Sequence, residues 1–356
     1  MGRKGYKTLI VVLCWLAACV KDKPQPSVST VPFSNRDVYV VCEGNFGNGD
    51  ASLYLYNPAK DSAYGDLYAA ANNQPLGDVF QSMMQIGNHF FLCINNSDKL
   101  VVIDTGSRKL ITTINIPKPR YILPVSSTKA YISAEYSNKV YIINPQTYAI
   151  TGTIDMPNQN PEGMCLYDNA VYICTWDTAC NTLFKVDITT DKIIQTIKVG
   201  GYAPQAILPD KEQMLWVLGG NQTMGKTATL TRIDPSTGQI LTSYQFPASA
   251  DALKPVFNNT NDTLYFIEVN YYGGTANNGI YRMAITDASL PTQPFVSAQQ
   301  YQYFWALGID PATGYIYVGD PKGFVQKGSI YIYRQDGQQI SSFNVGVGPG
   351  HFYFDN

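Results

Sequence analysis

The chain has 356 residues, of which 15% are charged and 13% aromatic, with 26 Tyr against only 2 His. Charge falls well below the usual quarter of a globular chain, and the 25 Lys and Arg form no basic stripe among 27 Asp and Glu, which argues against nucleic acid as a partner. Length admits either two domains or one large all-β domain, and the balance suits a strand-rich chain surfaced with hydroxyl, amide and aromatic groups.

At the N-terminus MGRKGYK is a basic n-region, and the eleven residues TLIVVLCWLAA that follow are too few to span a bilayer as a helix. This stretch ends in LAAC, Leu16 to Cys19, which resembles a bacterial lipobox and implies Cys19 as a lipidated first mature residue. The alternative is an ordinary signal peptide with an accidental Cys. Residues 1–18 are therefore expected to be a lipoprotein signal peptide, and 19–36, polar and Pro-bearing, an anchored flexible tether. Val20 after the Cys carries no inner-membrane retention signal, so an outer-membrane lipoprotein is expected, touching the membrane through its anchor only. Without Arg3, Lys4 and Lys7 the chain carries 22 basic against 27 acidic residues, a net charge near −5. Five cysteines remain beyond Cys19. Cys174 and Cys180 flank TWDTA and could close a hairpin loop as a disulfide, while the odd count leaves at least one free thiol. No CxxC or His-rich spacing points to a metal.

From residue 37 onward one unit recurs. DVYVVCEGN, HFFLCINNS, KAYISAEYS, AVYICTWDT, MLWVLGGNQ, TLYFIEVNY and YIYVGDPKG are short alternating strands, each with an aromatic third residue. Those residues are Tyr39, Phe91, Tyr131, Tyr172, Trp216, Tyr265 and Tyr317, spaced by 52, 40, 41, 44, 49 and 52. A period in the forties made of strands indicates propeller blades, not a helical solenoid. A second strand follows each, ending at Asn57, Asp104, Asn144, Asp187 or Asp234 in five units; these residues are expected to cap the turn into a third strand, not to form a carboxylate site. A fourth strand opens each following unit, as in PRYILPVS, PEGMCLYD, PQAILPDK and KPVFNNTN. The first unit lacks its opening strand, and the tail GPGHFYFDN is an opening strand without a unit. The expectation is an all-β, seven-bladed β-propeller over residues 37–356, four antiparallel strands per blade, with blade one closed by the C-terminal strand so that no edge is left exposed.

In such a ring two sets of loops converge on one face of the central channel. The loops leading into the opening strands bring Gln81, Arg120, Tyr121, Glu162, Tyr202, Gln205, Trp305 and His351; the loops after the aromatic-marked strands bring Glu43, Phe46, Asn95, Glu135, Tyr136, Trp176, Asp177 and Tyr272. Aromatics and amides around a concave mouth suit a ligand site with a few orienting polar groups; mutual loop packing or a protein-binding surface are the alternatives. With only His89 and His351, and no GxSxG, HExxH or P-loop pattern, an enzyme is not expected. Paired carboxylates (Glu43 with Glu135, or Glu162 with Asp177) keep carbohydrate chemistry as a third reading. No ring of carboxylates or histidines suggests a cofactor.

NKVYIINPQTYAITGTI resembles the YVTN-type, YncE-like β-propellers. EGNFG at 43–47, LGDVFQSM at 76–83 and the combination PRYI with KAYI and YSNKV over 118–140 resemble, more specifically, a Bacteroidetes group of lipidated propellers. That group includes the surface lipoprotein that captures cobalamin and passes it to an outer-membrane TonB-dependent transporter. The resemblance implies a surface-exposed, non-enzymatic binding protein holding a small-molecule ligand, with cobalamin or another corrinoid favoured, or a partner protein, on its loop face.

Overall fold

The computed structural model describes residues 1–2, 36–270, 278–300 and 302–355. The expected signal peptide, Cys19 and the tether up to residue 35, with Tyr272, lie outside the described residues. The described residues from 36 onward belong to one compact unit.

Among the described residues the chain forms seven antiparallel sheets of four strands. Six are continuous in sequence. The seventh joins the C-terminal strand Pro349–Phe354 to Val38–Cys42, Ser52–Asn57 and Ser62–Tyr64. Its register pairs Tyr39 with Tyr353 and Val40 with Phe352. Each blade's innermost strand touches that of the next, and the C-terminal strand touches both its neighbours, Ala306–Ile309 and Phe80–Ile86, so the ring is closed. Closure gives the terminal strand's backbone groups partners that an isolated edge would lack. Phe352 and Phe354 also pack on Tyr317 of the last blade, at ring-centroid distances of 5.8 and 5.4 Å.

The seven marker aromatics are all buried, none above 4% exposed. They sit near the start of their strands, on the face opposite the mouth, and several reach the outer hairpin turn of the next blade. Tyr131 donates its hydroxyl to Asp191 and Tyr172 to the Pro235 carbonyl at 3.1 Å, while Tyr39 accepts from Arg108. The apolar body thus fills an inter-blade core and the polar tip fastens adjacent blades. The turn residues act as expected. Asp104, Asn144, Asp187 and Asp234 each accept from backbone N–H groups two and three residues ahead, and Asn57 from Lys60. The hydroxyls and amides of Ser236 and Thr237 pull the Asp234 carboxyl down to about 2.

Three features depart from the repeat. Blade one's outer strand has only three residues and is followed by a short helix, Leu67–Asn72, capped by Asp66. Blade six's outer strand, Val296–Ser297, is shorter still. The expected Cys174–Cys180 disulfide is not formed, and both residues are buried free thiols. Cys174 faces one inter-blade core with Tyr172 and Leu183, whereas Cys180 faces the opposite core with Ile173 and Phe184, so their sulfurs point to different sides of one blade. Cys180 instead accepts the Thr175 hydroxyl at 2.9 Å.

Candidate functional site

Six of the seven innermost strands carry a register shift at or just after the end where they enter the ring. A bulge leaves a residue unpaired and re-aims its side chain. The residues freed in this way are Gln81, Arg120 with Tyr121, Glu162 with Gly163, Gln205, Lys254 with Pro255, and Gly350. In five blades the same local irregularity delivers a polar side chain to the channel mouth; in the sixth it frees Gly350.

Arg120 is the hub. Its guanidinium donates from Nε and Nη2 to both oxygens of Glu162, at 2.6–3.1 Å, and from Nη1 to Gln81 Oε1 at 2.6 Å. Glu135 lies 3.8 Å away on another side and accepts from Asn95 Nδ2 at 3.3 Å. Gln81 turns its own amide to the Tyr121 hydroxyl at 3.4 Å, and the Arg120 cation stands 5.8 Å from the Tyr121 ring. Glu162 is 3% exposed; burial pushes its carboxyl up, and Arg120 opposes the shift. Burial also raises the Tyr121 hydroxyl, keeping it protonated at neutral pH. Three blades are therefore joined by one charge-assisted network.

A second group comes from blades one, six and seven. Trp305 Nε1 donates to Glu43 Oε1 at 2.8 Å, and its ring packs edge-on against Phe324. The Lys254 ammonium stands 5.6 Å from the Trp305 ring centroid. Burial lowers the Lys254 amine, with Glu43 the strongest opposing charge. His351 is held down to about 4 by burial and by the Lys254 charge, so it is neutral at physiological pH. Gly350 is required beside them: a Cβ there would lie 2.0 Å from Glu43 Oε1.

The remaining expected residues form a looser rim. Phe46 and Tyr136 are 75% and 76% exposed. Tyr202 is half-exposed, with the Lys226 ammonium 4.6 Å from its ring centroid. Trp176 is part-buried, and its indole N–H has no partner among the described residues. Asp177 accepts from the Ala179 amide in its own loop and from the Gln159 amide in the loop leading into Pro161–Tyr167. His89 lies on the far face against Tyr148 and takes no part. Among the described residues no group of three His, Cys, Asp or Glu is placed to hold a metal. A groove of about 470 Å³ between the outer strands of blades three and four includes none of the channel residues.

Lys254 was not expected from the sequence. KPVFNNTN invites alignment of Pro255 with Pro119, Pro161 and Pro204, whereas the strand begins at Asp251 and its bulge falls later. Lys254 itself holds φ at 50°, the left-handed region, immediately before a proline.

The three phrases distinguished in the sequence meet in space. Gly47 of EGNFG donates to Asp78 of LGDVFQSM at 2.9 Å, and Gln81 of that phrase accepts from Arg120 of PRYI.

The fold has many relatives of low identity. A quinoprotein alcohol dehydrogenase-like protein from Bacteroides thetaiotaomicron matches with a TM-score of 0.66 and 16% identity, over 91% of this chain and 79% of that one. A streptogramin B lyase matches at 0.58 and 14%, over 88% and 91%, and hydrazine synthase from Kuenenia stuttgartiensis at 0.59 and 13%, over 75% and 86%. At these identities the likeness speaks for the propeller alone. A search of curated proteins finds no match to the chain. The family described as a domain of unknown function, DUF5074, matches residues 36–355, nearly the whole of the propeller, and the chain belongs to it.

Proposed function

We propose that this chain is a lipid-anchored, surface-exposed envelope protein that captures a ligand on the loop face of the propeller and delivers it to an outer-membrane TonB-dependent transporter. A corrinoid is the favoured ligand. The observation that carries the reading is the channel mouth itself: five of the six bulges aim polar side chains inward, while Phe46, Tyr136 and Tyr202 stand in solvent around it. A wide macrocycle with amide arms needs both parts, apolar area at the rim and hydrogen-bonding groups within. The EGNFG, LGDVFQSM and PRYI phrases support the same choice through the group they resemble.

The second reading is a protein-binding scaffold, favoured by the exposure of Phe46 and Tyr136. Carbohydrate chemistry by paired carboxylates has less support. Glu162 already gives both oxygens to Arg120, and Asp177 is engaged in loop capping.

Calorimetric titration of cyanocobalamin, with maltose as the control, tests the proposal. Tight one-to-one binding of cyanocobalamin alone supports capture. An absence of heat at tens of micromolar retires the corrinoid and favours the scaffold.

A further inference from the structure

The channel mouth holds one acceptor, on the buried Glu43, and one donor, on the part-buried Lys254, that are not used up within the protein. Glu43 gives Oε1 to the Trp305 indole, and Oε2 receives no hydrogen bond from any described residue. The Lys254 ammonium makes neither ion pair nor hydrogen bond among the described residues and rests only on the Trp305 ring. These two groups feel each other's charge but do not pair.

A charge that loses its water normally pairs; these two keep an edge open to the mouth instead, since neither is among the side-chain atoms sealed from solvent without a partner. Arg120 shows the ordinary solution in the same mouth, closing on Glu162, Gln81 and Glu135 together. Lys254 is instead held away from Glu43 by its own backbone, a left-handed residue in a bulge and fixed by Pro255. Glu43 is held on the other side by the indole. Trp305 thus spaces the two charges, with its N–H on one and its ring under the other.

We infer that Glu43 and Lys254 form a donor–acceptor subsite for a primary carboxamide of the ligand. The amide oxygen accepts from Lys254 and the amide N–H donates to Glu43 Oε2. A carboxylate in the same place would face Glu43, and an ammonium would face Lys254, so each singly charged group meets one repulsion. The neutral planar amide meets none. The inference rests on the mouth being a ligand site, and not on that ligand being a corrinoid.

The test uses the full chain with 15N-labelled indoles. The chain has four Trp, and Trp216, whose indole donates to Asp210 within another blade, serves as the folding reference. Propionamide is titrated in, with propionate, propylammonium and glycine as parallel probes. Propionamide is expected to move the Trp305 indole resonance saturably and to leave that of Trp216 in place. Propionate and propylammonium are expected to shift it by less than about a fifth as much, if a single mispaired charge weakens binding by about 1 kcal/mol or more; glycine, which carries one charge for each group, separates a zwitterion site from a carboxamide site. Glu43→Gln keeps the bond to the indole but replaces the free acceptor with a donor, and is expected to abolish the response; Lys254→Met is expected to do the same. The inference is overturned if propionamide produces no saturable shift, if propionate or glycine matches it, or if both variants respond like the parent. Should either variant lose the Trp216 reference signal, the comparison of probes on the parent chain decides alone. A failure of cyanocobalamin to bind leaves this outcome untouched, so the two tests fail separately.

Discussion

Arg120 satisfies Glu162 and Gln81 at once and lies close to Glu135, and its removal would leave Glu162 buried without a partner. Arg120→Met is therefore expected to destabilise the propeller by ~3–5 kcal/mol, the usual range for breaking a buried pair from one side. Urea denaturation measures this; a loss below about 1 kcal/mol would mean that water reaches Glu162 freely. His351 makes a second prediction. Its folded pKa of about 4 lies below the ordinary 6.5, so the unfolded chain binds this proton first as pH falls. The neutral imidazole's contribution is whole above 6.5 and is lost between 6.5 and 4. His351→Gln should show a shallower loss of melting temperature over that window than the parent, and identical slopes would contradict the assignment. At this scale the sequence was legible where residue type and loop position coincide, as for Gln81, Arg120, Glu162 and Trp305. Lys254 was hidden because a single proline shifts the apparent start of its strand. The disulfide expectation failed for a related reason, since spacing around TWDTA does not show that the two sulfurs face opposite cores.

The aromatic-marked strand of each blade joins packing to inter-blade bonding through that aromatic. Tyr131 is fully buried and donates to Asp191, which also pairs with Lys129. Tyr131→Ala is expected to cost ~3–5 kcal/mol, as for other buried aromatics. Tyr131→Phe should cost only about 1 kcal/mol, because Asp191 keeps its lysine. Equal losses in the two variants, read from denaturant midpoints, would place the stabilisation in the hydroxyl instead of the ring. These strands were legible because alternation with a fixed aromatic survives in all seven copies. The helix Leu67–Asn72 was not, since six residues are too few to display a helical period, although Asp66 and Asn73 supply its caps. The two-residue outer strand of blade six carries too little pattern to be seen.

For the molecule as a whole, the terminal strand decides whether seven sheets become one ring. Deleting residues 348–356 removes the innermost strand of blade one and bares Val38–Cys42. The truncated chain is expected to melt well below the parent and to elute as larger species through its open edge; parent-like melting and elution would contradict closure. The ring was readable from the mismatch between a first unit lacking a strand and a tail lacking a unit. What the mouth binds depends on distances between blades, which no repeat encodes. The most direct test of the account is therefore calorimetry with cyanocobalamin on the parent and on a Tyr136→Ala, Trp176→Ala double variant, with melting recorded for both. One-to-one binding by the parent, and its loss in an equally stable variant, is the predicted result. Binding that survives in the variant would contradict capture on the loop face, and an absence of binding by the parent would contradict the corrinoid reading.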